Sequence, residues 1–142
     1  VESMDRKDDY VVITGNIGEI YSDKKDHQKA REYFEKSIKI AGNNISSAFA
    51  INGIGKIYLN EGKLTEALQF HNRALDMARK FDDKIQVARS MRGIADVYLK
   101  QNKTALAIEY YNKARMIVEE LDDLKIELQE LYHDMAFASF YF

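Results

Sequence analysis

A chain of 142 residues, 46% hydrophobic and 31% charged, has the composition of an ordinary folded domain and not of a disordered tail. Its 21 basic and 23 acidic side chains leave a net charge of −2, so no overall positive field is present to neutralise a phosphate backbone. Cysteine is absent, which excludes disulfides and thiolate metal sites and leaves the redox compartment open.

No stretch approaches ~18 consecutive apolar residues, and the first residues lack a basic region followed by an apolar one, so neither a membrane span nor a leader is predicted. Proline is absent, and the β-branched residues follow helical patterns without alternating over strand-length windows. The expectation is an all-α chain. Breaks are predicted at Asp23 to Asp26, Gly42 to Asn44, Asn60 to Lys63, Phe81 to Asp83, Gln101 to Lys103 and Leu121 to Asp123, leaving about seven helices.

Taken in chain order, the first helix carries Ile17-Gly18-Glu19-Ile20-Tyr21, the third Ile54-Gly55-Lys56-Ile57-Tyr58 and the fifth Ile94-Ala95-Asp96-Val97-Tyr98. Each is an aliphatic residue, a small one, two others and a tyrosine. A degraded fourth copy, Met135-Ala136-Phe137-Ala138-Ser139, has serine in the tyrosine slot. The small residues recur at intervals of roughly 37 to 41 residues, a period that marks a helical repeat. Twelve positions after each of the first three stands an alanine, Ala30, Ala67 and Ala107. Four further on comes a ring, then another small residue: Phe34 with Ser37, His71 with Ala74, Tyr111 with Ala114.

Small residues at these places allow two helices of a hairpin to approach closely, and the tyrosines fill the wider space at the hairpin's end. Gly62 and Asn102 occupy matching turn positions where a positive φ is useful. Asp83 opens a candidate capping box with Gln86, and the doublets Asp8-Asp9, Asp82-Asp83 and Asp122-Asp123 are expected to cap first helices.

These motifs are where the chain resembles the tetratricopeptide repeat family, in its long-repeat form and without the closing proline. The resemblance implies a right-handed superhelical solenoid of antiparallel hairpins. Its repeats would span about 5–42, 43–81 and 82–121, with the first helix of a fourth over 122–142. The chain opens on Val1 and closes on Ser139-Phe140-Tyr141-Phe142, and it is expected to be a fragment of a longer protein. Met135, Ala136 and Phe140 would then form an apolar stripe on a helix that lacks its second hairpin member, a stripe suited to self-association.

Chemistry finds no foothold. His71 takes the ring slot of Phe34 and Tyr111 and reads as a core residue, while His27 beside a turn reads as solvated. Gly15-Asn16-Ile17-Gly18 lies within a helix and lacks the strand and lysine of a phosphate loop. The expectation is a non-enzymatic chain without metal or cofactor.

In a solenoid of this kind the first helices line a concave groove. The inward positions are Gly15 and Glu19, Asn52 and Lys56, Arg92 and Asp96, and His133 and Phe137, with Asn16 and Arg89 beside them. Asn16, Glu19, Asn52, Lys56, Arg89, Arg92, Asp96 and His133 are therefore the candidate contacts for a protein or an extended peptide. Where family members clamp a chaperone's terminal carboxylate with Lys, Asn, Asn, Lys and Arg, this chain has Gly15, Glu19, Gly53, Arg89 and Gly93, which disfavours that mode. The leading expectation is the interaction or sensor region of a larger regulatory protein, bacterial on the abundance of Lys, Ile, Asn and Tyr. The alternatives are a non-catalytic segment of a sensor kinase or phosphatase regulator, and a helical-repeat RNA binder, which Glu19 and Asp96 argue against. The cytoplasm is the favoured compartment, with a periplasmic sensor region as the other.

Overall fold

The computed structural model describes residues 2–141, with the side chains of residues 1–5, 138, 139, 141 and 142 outside the description. The Ser139 and Tyr141 side chains of the fourth motif's end, and Phe142 altogether, therefore lie outside the description. Among the described residues six α-helices follow one another: α1 (Glu2–Asp23), α2 (His27–Ala41), α3 (Ala48–Asn60), α4 (Leu64–Lys80), α5 (Lys84–Lys100) and α6 (Thr104–Tyr141). A 3-10 turn, Ile45–Ser47, leads into α3. The described residues contain no strand.

Each connection reverses the chain through one residue in the left-handed region: Lys25 (φ 62°), Gly42 (66°), Gly62 (78°), Asp82 (54°) and Asn102 (61°). After it, the next backbone N–H commonly reaches back across the turn. Asp26 N–H bonds the Tyr21 carbonyl, Lys63 the Tyr58 carbonyl and Lys103 the Tyr98 carbonyl, each at 2.9 Å. The motif tyrosine thus also marks the carbonyl that closes its helix. Asp26 and Asp83 then cap the following helices, accepting from the N–H groups of Lys29 (3.2 Å) and Gln86 (3.1 Å). Only half of the capping box forms, because the Gln86 side-chain oxygen is buried without a hydrogen bond.

Helices pack as antiparallel hairpins, α1 on α2, α3 on α4 and α5 on α6, and the first helices α1, α3 and α5 touch in succession to form one row. Ala30, Ala67 and Ala107 are fully buried between them. The glycines act differently from the backbone-on-backbone crossing expected. A β-carbon on Gly18 would lie 2.7 Å from the Phe34 ring, and one on Gly55 would lie 2.8 Å from His71. The space that glycine vacates is filled by the ring of the second helix.

At the hairpin ends Tyr21 stacks on Tyr33 with centroids 5.5 Å apart, Tyr58 meets Phe70 at 5.3 Å and Tyr98 meets Tyr110 at 5.6 Å. Such pairs add to the burial of their own area.

Two boundaries depart from expectation. Asp8-Asp9 sits inside α1 and caps nothing. The break at Leu121 to Asp123 is absent, so six α-helices stand where about seven were predicted, and α6 runs on for 38 residues. No residue there adopts the positive φ on which every other reversal turns. From Glu119 to Leu131 the chain consists of Leu, Glu, Asp, Lys, Ile and Gln, mostly strong helix formers with no glycine or asparagine to stop it. Lys113–Glu109 (3.2 Å) and Arg115–Glu119 (3.8 Å) pairs along its surface add a little more. His27 is half-buried, with Nδ1 shielded from water, and not solvated as its place beside a turn implied.

Candidate functional site

The row formed by α1, α3 and α5 encloses a depression of about 330 Å³, floored by Phe34, Phe49, Gly53, His71 and Gly93. A second, of about 390 Å³, adjoins it towards the start of α1 and shares Glu19, Phe49 and Arg89 with the first. Together they form one continuous cleft.

Glycine makes the floor. Phe34 is held between α1 and α3, since a β-carbon on Gly53 would come within 2.5 Å of its ring just as one on Gly18 would crowd it from the other side. His71 is held likewise between Gly55 of α3 and Gly93 of α5, with 2.3 Å to a β-carbon on Gly93. One ring is thus gripped by two first helices in each of these repeats, which ties the row together.

His71 also carries the floor's polar chemistry. It is 3% exposed, and its Nδ1 lies 2.9 Å from Oδ1 of Asn52, whose Nδ2 donates to Ser90 Oγ at 3.0 Å. Since the amide oxygen accepts, the imidazole proton is assigned to Nδ1. Burial pushes the His71 pKa down to about 4, with Asp96 pulling the other way, so the ring is neutral at pH 7. Asn52 therefore spends both ends of its amide on α4 and α5. Its first role is to lock the floor.

Above this floor stand the charged groups. The Arg89 guanidinium lies over Phe49, 5.2 Å from the ring centroid. Asp96 accepts a hydrogen bond from the Tyr111 hydroxyl and is not paired with Arg92, one helical turn away. Burial, reinforced by that bond, pushes the Tyr111 pKa up to about 12, so the phenol stays a donor at any physiological pH. The ion pairs among the described residues involve Arg31, Lys63, Lys113 and Arg115, which leaves Lys56, Arg89 and Arg92 without a carboxylate.

Of the eight residues singled out from sequence, the structure brings Asn16, Glu19, Asn52, Lys56, Arg89, Arg92 and Asp96 to this cleft. His133 lies apart, exposed on the far half of α6 beside Gln129, Glu130 and Asp134, because that half continues as one helix and does not fold back to extend the row. Sequence reasoning passed over Phe49 and Ser90. It placed Gly53 and Gly93 at groove positions but not as the second glycine of each clamp, although Gly53-Ile54-Gly55 and Gly93-Ile94-Ala95 repeat the same spacing.

Comparison with known proteins gives this geometry a context. The family model described as tetratricopeptide repeat matches residues 46–120, and a second with the same description matches residues 15–44. No curated protein matches the chain. Among solved structures, the N-terminal domain of stress-induced protein-1 from C. elegans is similar with a TM-score of 0.60 at 23% identity, over 84% of this chain and 97% of that one. The TPR domain of Arabidopsis FLU is similar with a TM-score of 0.68 at 19% identity, over 80% of this chain and 98% of that one.

Proposed function

The chain belongs to the tetratricopeptide repeat family, and we propose that it holds an extended, acidic segment of another protein in the cleft of α1, α3 and α5. The observation that carries this reading is the trio Lys56, Arg89 and Arg92, cations without a carboxylate partner among the described residues, set over an apolar floor of Phe34 and Phe49. Three donors of this kind suit carboxylate side chains and backbone carbonyls of a bound strand. Glu19 on the opposite wall offers an acceptor for a basic or amide group, which would fix the direction in which the segment lies.

The role is one of binding. It fits the interaction or sensor region of a larger regulatory protein, and the mixed signs in the cleft weigh against a nucleic acid strand. No helix among the described residues is long and apolar enough to cross a membrane.

Panning a random peptide library against the whole chain tests the proposal. Enrichment of Asp- and Glu-containing peptides that an Arg89→Ala, Arg92→Ala double variant no longer retains would support it. Enriched peptides held equally by that variant would refute it. Lys63→Gln, on a hairpin turn outside the cleft, serves as the control.

A further inference from the structure

Helix α6 outruns its partner. Its face towards α5 carries Ala107, Tyr110, Ala114 and Ile117, of which the last three pack with Leu75, Ala88, Met91 and Ile94. That three-four alternation continues without a break as Leu121, Leu124, Leu128, Leu131 and Met135. At Leu121 the covering helix ends, for this residue borders a hollow with Phe81 and Lys84 at the start of α5. Beyond it the stripe stands in solvent, with Leu124 45%, Leu128 49%, Leu131 52% and Met135 56% exposed. Ala136 lies off this line, so of the residues first expected to pair, Met135 is the one that belongs to it.

A 3.5-residue apolar repeat is the pattern by which one helix packs along another. The occupant can be read from the interface it prolongs. α5 runs antiparallel to α6 and stops, and an antiparallel helix laid end to end with α5 would extend the same contact. The stripe supplies its own complement: about a two-fold axis between Leu128 and Leu131, Leu128 meets Leu131 of a second copy and Leu124 meets Met135. Lys125 then faces Tyr132 of the other copy, a favourable pairing. Glu127 faces Asp134, a repulsion between exposed groups that salt screens. A parallel pair is blocked, since the second copy's α6 would run through the place held by α5.

We infer that residues 124–135 of α6 pair antiparallel with the same residues of a second copy, independently of what the cleft binds. The contact spans less than two heptads, so the pairing is weak and dimer accumulates as concentration rises.

Because the chain has no cysteine, single introduced thiols report the arrangement cleanly. Leu124→Cys and Met135→Cys proteins are mixed in a glutathione redox buffer, with Glu130→Cys on the far side of the helix as the collision control. The expected result is a mixed disulfide dimer, one Leu124→Cys chain joined to one Met135→Cys chain, several-fold above either homodimer and above the control. It should be lost when Leu128→Lys is added and should rise with salt. Excess homodimer would mean a parallel pair and would overturn the inference. No excess over the control, as for a helix that folds back at Asp122-Asp123 or takes another partner, would overturn it too. All these side chains are exposed, so the fold is not at stake.

Discussion

Gly93 of α5 lies flat against the imidazole of His71 on α4, close enough that a β-carbon there would fall 2.3 Å from the ring. In an exposed helix, replacing glycine by alanine gains about 1 kcal/mol. Here the gain is expected to reverse. Gly93→Ala should destabilise the fold by about 1–3 kcal/mol through overpacking, read as a lower urea midpoint at unchanged slope.

The same histidine makes stability depend on pH. Its pKa in the folded chain, about 4, lies below the ordinary 6.5, so the unfolded chain binds the proton more readily. The contribution is whole above about pH 6.5 and is lost as pH falls towards 4, at about 1.4 kcal/mol for each pH unit. His71→Phe, the residue found in the matching slot at Phe34, should be less stable at pH 7 because it leaves the Asn52 oxygen without its donor. The gap to the parent should close between pH 6.5 and 4, as measured by urea unfolding across that range.

Ala67 is fully buried, and a branched side chain there would have to displace its packed neighbours. Ala67→Leu is expected to cost about 1–3 kcal/mol and to lower the melting temperature, whereas Lys63→Gln at the neighbouring turn should stay within about 0.5 kcal/mol of the parent. Equal behaviour of the two would contradict the repeat register.

Asn102 holds φ 61° in the last reversal. Asn102→Ala places a β-carbon in the left-handed region without the local hydrogen bonding of asparagine and should cost about 1 kcal/mol, while Asn102→Gly should not. Thermal melts of the two variants check this.

How far the sequence could be read follows from what repeats. The reversals within hairpins, at Lys25, Gly62 and Asn102, are legible because each stands four residues after a motif tyrosine, and a local signal seen three times is hard to mistake; those between hairpins, at Gly42 and Asp82, rest on turn residues alone. The Asp82-Asp83 and Asp122-Asp123 doublets show the limit. Their residues are alike, yet Asp82 turns left-handed and Asp83 caps Gln86, while the second pair rides inside a helix. At the first, α5 gains contact with α4 by turning back; at the second, the leucine stripe continues the helix along one face. Asn52 teaches the same point for the cleft. Spacing placed it towards the groove, but it could not reveal that His71 and Ser90 would claim the amide. Lys56 and Arg92 line the same cleft without such a claimant among the described residues, while Arg89 lies over Phe49.

The binding claim is tested most sharply by the affinity of a library-selected acidic peptide for the parent chain and for the Arg89→Ala, Arg92→Ala variant, by calorimetry at two salt concentrations. The expected outcome is a loss of at least about tenfold in the variant, near 1.4 kcal/mol, and a weaker dependence on salt than the parent shows. An unchanged affinity, in a variant with unchanged helicity, would contradict it.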